Sequence, residues 1–420
     1  MVRIGLFGLG TVGKSLVEII NKGDYPIEIV GIVDRSFKQK KDIIGEIPAS
    51  DQPEDLLNDE SIDIIVETMG GVDHALFVVR EALDKKKNVI TANKFLLAEH
   101  GYALFNKASQ MGVKIGFEAA VAGAIPIIRN LENIFFYENI PFLEGILNGT
   151  TNYILSRMRK DKLDYSAVLE DAKRLGLAEA DPTLDINGMD AVHKIALLGS
   201  LLSRTWIEYH NIDVRGIENI RLADITVAES MGYRIRQISR YQKIDGKIYL
   251  SVEPSLIGPS HFLWDIDMEN NAVMFQGEHS GDHVFVGKGA GGFPTAYSVL
   301  SDIMHFVQGN FNPLNSDSFT WVYGHASPQD EKMNAFYMRM LVTDKTGVLT
   351  MITGLLSKFG ISIASVHQET PYERVEGQDV DLIIVTHRCL RKNFQAAITE
   401  IDQLDGIKAD TVFLPIDDTV

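Results

Sequence analysis

The fold of this chain is decided near its start, by the stretch GLFGLGTVGKSLVEII at residues 5–20. An apolar run leads into Gly8, Gly10 and Gly13, which have the spacing G-x-G-x-x-G, and a helical pattern follows. In such a motif the first glycine permits a tight turn, the second lets a pyrophosphate approach the backbone, and the third lets the helix pack close to the sheet. The helix N-terminus then offers free N–H groups to the phosphates. The stretch therefore predicts a dinucleotide-binding site.

The choice between NAD and NADP depends on the residues after the second predicted strand. Asp34 follows that strand, and an acidic residue there usually accepts hydrogen bonds from the adenosine ribose, which favours NAD. Arg35 comes next, with Lys38, Lys40 and Lys41 close behind, and such cations favour NADP if they hold a 2′-phosphate. We interpret the lysines as a solvated loop and leave the cofactor as NAD(P).

Short β-rich runs alternate with helical patterns through the first third of the chain, with strands expected at 2–7, 27–33, 63–67, 88–91 and 113–117. Such alternation implies a mostly parallel sheet covered on both faces. From about Gly123 the pattern changes to helices at 152–160, 166–175, 188–203 and 296–308 and extended runs at 247–257, 272–276 and 283–286. We expect an α/β fold in which a Rossmann-type domain is followed by an α+β domain.

The C-terminal part reads as a linker and a small separate unit. Residues 309–334 are polar and turn-rich, with at most a short strand at 319–323. After them the predicted elements have the order βαββαβ, which is the ferredoxin-like arrangement. We therefore divide the chain into a Rossmann domain at 1–122 completed by 287–309, a substrate-binding and dimerisation domain at 123–310, a linker at 311–334 and a third domain at 335–420.

Composition limits the partners. The 420 residues carry a formal net charge of −17, which argues against nucleic acid and anionic membranes. Cys389 is the only cysteine, so no intrachain disulfide forms, which suits a reducing cytosol. Arg3 leads straight into the first strand, so no signal peptide is expected, and the apolar run at 119–128 is too short to span a bilayer. We expect a cytoplasmic protein.

Two clusters of polar residues are suited to catalysis. Asn93 and Lys94 come just after a predicted strand, where ligands of doubly wound sheets bind. Asp190 and Lys194 are four residues apart on a predicted helix and share one face. A surface ion pair is the simpler explanation for an arbitrary pair at this spacing, but the acidic positions 179, 181 and 185 crowd in just upstream.

A third cluster is a candidate cation site. Glu118 ends a predicted strand, and the carbonyls of Val121, Gly123 and Ile125 would turn the same way as its carboxylate. Oxygen ligands alone suit a hard cation. The simpler alternative is a buried turn before a helix.

With these residues in view, the chain resembles the homoserine dehydrogenase family, in its monofunctional form with a C-terminal ACT domain. The motifs GLGTVG, TANK, FEAAVAGAIPII, LNGTTNYIL and AEADPTLDINGMDAVHK occur in the family's order and spacing, and GKGAGGFPTA resembles its late glycine segment. The similarity covers nearly the whole chain. ETMGG stands where ELIGG is common, and AAVAGA where ASVGGG is common, which affects fine cofactor contacts rather than the reaction.

The resemblance implies a reversible, NAD(P)-dependent interconversion of L-homoserine and L-aspartate 4-semialdehyde, in the pathway to threonine, methionine and isoleucine. Lys194 would be the acid/base residue, Lys94 would lie beside substrate and nicotinamide, and Glu179 and Asp190 would bind substrate. The residues implied for the cofactor are Gly8, Gly10, Thr11, Val12, Gly13, Asp34, Arg35, Met69, Gly70, Ala92, Asn93, Lys94 and Gly291. Those implied for a sodium or potassium ion are Glu118, Val121, Gly123, Ile125, Gly176 and Glu179.

The third domain resembles an ACT domain, whose first turn binds an amino acid through backbone N–H groups. The corresponding residues here are Asp344, Gly347, Val348 and Leu349. The resemblance implies feedback inhibition by L-threonine, and the alternative is a dimerisation module without a ligand. It also implies a homodimer through the second domain, or a homotetramer through the ACT domains.

The chemistry of the residues agrees with this resemblance. Reduction of an aldehyde needs a hydride from the nicotinamide and a proton for the oxygen, which a lysine supplies if its neighbours tune its pKa. We expect two converging lysines to lower each other's pKa by repulsion, with Asp190 moderating the effect. Aspartate-semialdehyde dehydrogenase is rejected because it needs a catalytic cysteine, and Cys389 is far from the crevice in sequence. The remaining alternative is a non-catalytic sensor of nucleotide and amino acid.

Overall fold

The computed structural model describes residues 1–309, 320–368 and 378–417. Most of its strands belong to a six-stranded sheet or an eleven-stranded sheet, and a two-stranded ribbon lies apart from both. Among the described residues, no helix combines the length and the apolar character needed to cross a bilayer.

The first domain contains the six-stranded sheet with helices between its strands. Its strands are β1 (Val2–Phe7), β2 (Ile27–Val33), β3 (Ala49–Ser50), β4 (Ile64–Glu67), β5 (Asn88–Thr91) and β6 (Ile115–Gly116). Its helices are α1 (Thr11–Lys22), α2 (Lys41–Ile44), α3 (Glu54–Leu57), α4 (Asp73–Asp84) and α5 (Lys94–Met111). The order β3-β2-β1-β4-β5-β6, with every pair parallel, is the doubly wound Rossmann order. Its topological switch point lies between β1 and β4, beside the glycine motif.

The second domain covers one face of a mixed sheet with helices. Its helices are α6 (Ile127–Arg129), α7 (Gly149–Asp161), α8 (Tyr165–Arg174), α9 (Thr183–Ile186), α10 (Met189–Ser203), α11 (Leu222–Ser230) and α12 (Gly292–Val307). Its strands are β7 (Phe142–Ile146), β8 (Thr205–Ile207), β9 (Asp213–Val214), β10 (Arg234–Ile244), β11 (Lys247–Ile257), β12 (Asn270–Gly277), β13 (Gly281–Lys288) and β14 (Val322–Gly324). Helix α10 is buried over most of its length, between α5 of the first domain and strands β10 and β11. Helix α12 returns to the first domain and packs against α1.

The C-terminal unit has the predicted element order. It contains β15 (Met333–Thr343), α13 (Val348–Lys358), β16 (Ile363–Gln368), β17 (Asp379–Thr386), β18 (Cys389–Leu390), α14 (Arg391–Ile401) and β19 (Val412–Asp417). Its four long strands have the spatial order β19-β15-β17-β16, with antiparallel neighbours. This is the strand order that a βαββαβ chain gives in a ferredoxin-like fold, apart from the short extra strand β18.

The C-terminal unit is not a separate body, contrary to the sequence-based expectation. Strand β19 pairs in parallel with β11, with Leu256 opposite Ile416 and Ile257 opposite Asp417, so one sheet runs through both units. Strand periodicity does not reveal such pairing, because the edge of a small sheet looks the same whether it is free or paired.

The segment predicted as a linker also contributes to the core. Trp321 is 3% exposed and packs edge-on against Trp206 and Phe105, and β14 pairs with β8. The predicted strand 319–323 therefore overlaps β14 at residues 322 and 323, while residue 319 lies outside the described residues. The predicted helices and strands otherwise occur with small shifts of their ends.

One shift affects a predicted site. The strand expected at 113–117 is only Ile115–Gly116, and Glu118 lies in a 3₁₀ turn rather than at a strand end. The N–H of Glu118 donates to Asp302 Oδ2 at 2.9 Å, which takes this group out of any sheet pairing.

Candidate active site

The glycine motif has the conformation that the sequence predicts. Gly8 has φ +92°, and a Cβ on it would lie 2.9 Å from the carbonyl oxygen of Thr68. A Cβ on Gly13 would lie 2.1 Å from the carbonyl oxygen of Gly8, so only glycine lets α1 start this close to β1. A Cβ on Gly10 would meet nothing within 4 Å, which leaves open space above this part of the loop.

The N-terminus of α1 is open to a phosphate. It has no side-chain cap, so the N–H groups of its first turn, from Thr11 onward, keep their hydrogen-bonding capacity. Gly291, with φ +119°, starts α12 without a side-chain cap, and a Cβ on Gly292 would lie 2.5 Å from Ser15 Oγ. Two uncapped helix N-termini therefore lie close together, and the residues present fit a dinucleotide.

Neighbouring residues fix the Asp34 carboxylate by hydrogen bonds. Its carboxylate accepts hydrogen bonds from the N–H of Leu9 at 2.7 Å, from Ser36 at 2.8 Å and from Lys40 Nζ at 2.8 Å. Burial alone would raise the pKa of Asp34, but Lys40 and these donors lower it to about 2. The interpretation of Lys40 as part of a solvated loop is therefore wrong, whereas Lys38 and Lys41 are exposed as expected, and Arg35 is exposed as well.

A buried carboxylate joins the carboxyl ends of β4 and β5. Glu67 accepts hydrogen bonds from the Thr91 hydroxyl at 2.5 Å and from the Met69 N–H at 2.7 Å. Burial raises the pKa of Glu67 to about 7. Asn93 caps α5 by accepting from the N–H of Leu96 at 3.0 Å, and its amide donates to the carbonyl of Gly71 at 2.7 Å. These bonds fix the loops that contain the predicted cofactor residues Met69, Gly70, Ala92 and Asn93.

The two predicted catalytic clusters meet at a single carboxylate. Asp190 Oδ2 accepts a hydrogen bond from Lys194 Nζ at 2.7 Å, and Asp190 Oδ1 lies 3.0 Å from Lys94 Nζ. Lys194 also donates to the carbonyl of Leu147 at 2.6 Å. Because Lys94 begins α5 and the other two residues lie on α10, this ion-pair cluster connects the two domains.

The charges of this cluster are strongly coupled. Burial would raise the pKa of Asp190, but Lys194 and Lys94 hold it far below its usual range. The pKa of Lys94 is raised, mainly by Asp190 and against the effect of burial. The expectation that the paired lysines lower each other's pKa is therefore wrong for Lys94, because Asp190 lies within ion-pair distance of both.

Asn148, in the motif LNGTTNYIL, also belongs to this site, and no role was predicted for it. Its amide donates to Asp190 Oδ2 and to Asp185 Oδ1, both at 2.8 Å, while its oxygen accepts from the N–H of Thr151 and caps α7. Burial and the charge of Asp190 raise the pKa of Asp185. The sequence signal was an asparagine three residues before a threonine at a helix start, which predicts a cap but not the contact with the two acids.

Aromatic rings cover the buried side of α10. His193 stacks on Phe95 with ring centroids 5.0 Å apart and meets Tyr209 edge-on at 4.9 Å. Burial lowers the pKa of His193 to about 4, so the ring is neutral at physiological pH. The Tyr209 hydroxyl donates to Glu99 at 2.6 Å.

Glu179 does not join the ion-pair cluster directly. It lies exposed on the loop after α8, next to Gly176, which has φ +71°, and it makes no hydrogen bond or ion pair with the described residues. Its charge acts on Lys94, though less strongly than that of Asp190. The structure therefore leaves this carboxylate at the edge of the site.

The predicted cation ligands are largely engaged in other bonds. The Glu118 carboxylate accepts from the N–H groups of Ile128 and Arg129 at 2.9 and 2.8 Å. The carbonyl of Gly123 accepts from the Ser298 hydroxyl at 2.7 Å, and that of Ile125 accepts from the N–H of residue 127 at 2.8 Å. Burial and the nearby Asp302 raise the pKa of Glu118 to about 8. The carboxylate thus serves the turn that starts α6, and its role as a cation ligand stays a prediction.

A Rossmann crevice whose rim carries two lysines sharing one carboxylate defines the class of protein: the chain is an NAD(P)-dependent oxidoreductase. Two family models match it, "Homoserine dehydrogenase, NAD binding domain" over residues 8–118 and "Homoserine dehydrogenase" over residues 126–304. The homoserine dehydrogenase of Bacillus subtilis is 34% identical over 421 residues, covering 97% of this chain and 96% of the relative. That of Helicobacter pylori is 36% identical over 414 residues, covering 97% and 96%. The chain belongs to the homoserine dehydrogenase family.

Solved structures agree with this assignment. A homoserine dehydrogenase from Thiobacillus denitrificans matches with TM-score 0.90 and 33% identity, covering 99% of this chain and 98% of that one. A hyperthermophilic archaeal homoserine dehydrogenase in complex with NADPH matches with TM-score 0.64 and 28% identity, covering 74% of this chain and 99% of the shorter archaeal chain. The family's reaction connects homoserine and aspartate semialdehyde, and it belongs to amino-acid biosynthesis.

Proposed function

We propose that this chain interconverts L-homoserine and L-aspartate 4-semialdehyde with Lys194 as the general acid/base. The observation that carries the proposal is the shared carboxylate of Asp190, bonded to Lys194 at 2.7 Å and lying 3.0 Å from Lys94. Homoserine oxidation requires a base at the hydroxyl, and the reverse reaction requires an acid at the carbonyl oxygen. An amine that is oriented by two acceptors serves both directions.

The nicotinamide, when bound, supplies or accepts the hydride. Two of the three N–H bonds of a protonated Lys194 are directed to Leu147 and Asp190, so the third is left for the substrate oxygen. Lys94, with 37% of its side chain exposed, extends from the first domain toward the same place and supplies positive charge for a developing alkoxide. Asp190 sets the direction of both lysines, and the Asn148 amide holds Asp190.

We assign the ammonium group of the substrate to the acidic side of the site. Glu179 is exposed and has no partner among the described residues, and Asp185 lies beside Asp190 across the Asn148 amide. A cationic amino group placed between such carboxylates gains charge-assisted hydrogen bonds. We assign no step of the reaction to a monovalent cation.

The cofactor residues are proposed on the geometry of the crevice. Gly8, Gly10 and Gly13 form the turn, the first turn of α1 faces the pyrophosphate, and Gly291 brings the second uncapped helix to it. Asp34 is the candidate for the adenosine ribose, with Lys40 and Arg35 available for a 2′-phosphate. NAD and NADP both remain proposed cofactors.

An assay at 340 nm tests the proposal. Purified chain is mixed with L-homoserine and either NAD or NADP, and we expect absorbance to rise with at least one cofactor. L-Threonine, an isomer of homoserine with its hydroxyl on the β-carbon, and L-serine, which is one methylene shorter, serve as control alcohols. Equal rates with all three alcohols would contradict the substrate assignment, and no rate with any would contradict the reaction.

We further propose that the C-terminal unit is an ACT domain that mediates feedback by L-threonine. Support comes from its βαββαβ order and from Gly347, which starts α13 with φ +99° and no side-chain cap beside Asp344. The N–H of Leu349 in that turn suits an amino-acid carboxylate, whereas that of Val348 donates to the carbonyl of Lys345 at 3.3 Å and would have to exchange this partner for the ligand. The archaeal homoserine dehydrogenase aligns over 99% of its own length with only 74% of this chain. This suggests that the catalytic part is complete without such a unit.

Titration of the enzyme with L-threonine at 340 nm tests this regulatory proposal. We expect inhibition that Asp344→Ala weakens while the uninhibited rate is kept, and a wild-type rate unaffected by threonine would contradict it. We also propose a homodimer through the second domain or a homotetramer through the C-terminal units, for which analytical ultracentrifugation gives the mass.

A further inference from the structure

Helix α5 belongs to the first domain by sequence, but one of its sides packs on the second domain. Residues 95, 99, 102 and 106 have the spacing i, i+4, i+7 and i+11, which places them on one side of the helix. Each of the four contacts a residue of the second domain or of the segment that follows it, and we call this row of contacts the α5 seam. The helix begins with Lys94, so the seam starts beside the ion-pair cluster.

Aromatic rings fasten the first turn of the α5 seam. Phe95 stacks on His193, with ring centroids 5.0 Å apart and planes 11° from parallel. Tyr209 meets the His193 ring edge-on at 4.9 Å, and its hydroxyl donates to Glu99 one turn further along α5. Tyr209 therefore contacts both the histidine on α10 and the acid on α5, and it closes a ring of contacts between the two helices.

The later turns of the α5 seam are joined in the same way. Tyr102 meets Tyr323 of β14 edge-on at 5.3 Å, and the Asn106 side chain accepts from the N–H of Trp321 at 2.9 Å. These contacts hold the body of α5. Only the stack at Phe95 lies in the turn that carries Lys94.

The stacked pair is adjacent in sequence to both lysines of the ion-pair cluster. Phe95 follows Lys94, and His193 precedes Lys194. The separation of the two rings therefore also sets the separation of the backbones that carry the two ammonium groups. Lys94 Nζ lies 3.0 Å from Asp190 Oδ1 although 37% of the lysine side chain is exposed, so the start of the helix has to place it there.

His193 acts through the faces of its ring rather than through its nitrogens. The residue is 3% exposed, and within the described part of the chain neither ring nitrogen makes a hydrogen bond. Burial lowers the pKa of His193 to about 4 against the charge of Asp190, and the two lysines act in the same direction as burial. A neutral ring stacks on Phe95 without the cost of burying a further charge.

We propose that His193 and Phe95 are positioning residues of the reaction, whose stack holds the first turn of α5 so that Lys94 stays at ion-pair distance from Asp190. The proposal rests on the proposed roles of the two lysines and adds the contact that brings the first-domain lysine into place. A flat, neutral ring at position 193 is then sufficient, and the imidazole nitrogens are dispensable. Because a misplacement of about 1 Å costs up to about 10²-fold in rate, loss of the stack is measurable in kcat.

The position of Lys94 is measured on the full chain without any reaction. Competitive acetylation with acetic anhydride, followed by mass spectrometry of the peptide that contains Lys94, gives the pH at which this amine is half-protonated. Asp190 raises the pKa of Lys94 because it lies at ion-pair distance. We expect Phe95→Ala and His193→Ala each to lower this midpoint by about one pH unit. His193→Phe restores a flat ring and should keep the wild-type midpoint.

Kinetics at 340 nm give the second measurement. We expect kcat with L-homoserine to fall by at least about tenfold in Phe95→Ala and in His193→Ala, and to fall no further when the two changes are combined. KM for homoserine should change by less than about threefold, and His193→Phe should keep kcat within about threefold of wild type. His283→Ala is the matched control, because His283 stacks on Phe275 at 4.9 Å on β13 and has no contact with the α5 seam, so both measurements should stay at their wild-type values.

Three outcomes would overturn the positioning role. They are an unchanged Lys94 midpoint in a folded Phe95→Ala chain, an equal loss of kcat in His193→Phe and His193→Ala, and a lowered Lys94 midpoint in His283→Ala. Phe95 is 38% exposed, so its alanine variant should fold even if His193→Ala does not. A wild-type chain that does not turn over homoserine would contradict the proposed function instead, and the acetylation midpoints would still decide whether the stack positions Lys94.

Discussion

Replacing Lys194 separates proton transfer from the structural role of the ion-pair cluster, which is to hold Lys94 and Asn148 around Asp190. Lys194→Met has nearly the same volume and removes the ammonium, while Asp190 keeps Lys94 at 3.0 Å and the Asn148 amide at 2.8 Å. Because Lys94 still balances the charge of the Asp190 carboxylate, the variant avoids the cost of an unpaired buried charge, which is roughly 3–5 kcal/mol. We expect it to fold with a loss of stability of about 3–6 kcal/mol from the two lost charged hydrogen bonds, at roughly 1.5–3 kcal/mol each.

The loss of activity is a separate effect, and it is measured on the folded variant. Removal of a positioned general acid/base lowers kcat by about 10²–10⁴, which corresponds to roughly 3–5 kcal/mol in the activation barrier. Cofactor affinity should be nearly unchanged, because Lys194 lies 9% exposed on α10 and makes its bonds to Leu147 and Asp190.

The assay measures kcat at 340 nm in both directions, with cofactor Kd from nicotinamide fluorescence. Lys194→Arg is the informative companion, since arginine keeps the charge but does not release its proton in proteins. Lys162→Met, at the exposed end of α7, is the control and should behave as wild type. A Lys194→Met or Lys194→Arg enzyme with kcat within about threefold of wild type would refute the role of Lys194 as acid/base.

Three further changes test other parts of the structure. Gly13→Ala places a Cβ 2.1 Å from the Gly8 carbonyl oxygen, so the loop must move and fluorescence titration should show at least about tenfold weaker cofactor binding. Lys40→Met leaves the Asp34 carboxylate without its cation, so the ratio of kcat/KM for NADPH to that for NADH should fall by about tenfold. The pKa of Glu67 is about 7 in the folded protein against 4.5 in the unfolded chain, so ionisation of Glu67 destabilises the fold progressively as pH rises from about 4.5 to 7. Glu67→Gln should remove up to about 3 kcal/mol of that loss of stability. Thermal unfolding at pH 5 and pH 8 measures the difference.

The first domain follows from its sequence to a large extent. Strands β1, β2 and β5 begin and end at the expected residues, because short apolar runs bounded by turn residues define them locally. The glycine loop is equally local, since its requirement is a backbone without side chains. Helix α5 was expected only as one of the helical patterns between strands, without bounds, because its weak amphipathic pattern gives little periodic signal, although Asn93 at its start is a favourable cap.

The second domain could be predicted less well, and charge is the reason. Strand β10 contains Arg236 and Arg240, both almost fully buried, so its pattern resembles an exposed segment. Arg240 is buried because Glu144 and Asp417 neutralise it, and those residues are distant in sequence. A buried ion pair cannot be read from one member alone.

The candidate site shows the same contrast. The pair formed by Asp190 and Lys194 is a helix-face relation and was predicted, whereas its contact with Lys94 joins α10 to a helix of the other domain. The place of Lys94 at a strand end indicated the crevice but not its partner. The role of Asn148 required the path of the chain before α7, which no local pattern contains.

Under the proposed role of Lys194 as acid/base, the shared carboxylate also gives a reason for the second lysine, Lys94, at the same place. With both ammonium groups protonated and Asp190 ionised, the three side chains have a net charge of +1, which suits an alkoxide better than a neutral carbonyl. Because Asp190 is hydrogen-bonded to Asn148 and buried on α10, these charges are in place before substrate arrives, and no reorganisation is needed as negative charge develops on the oxygen. Since Lys94 comes from the first domain and Lys194 from the second, this field exists only when both domains are joined across the crevice, so under the proposed role of Lys194 the ion-pair cluster would be a structural condition of the reaction as well as its proton source.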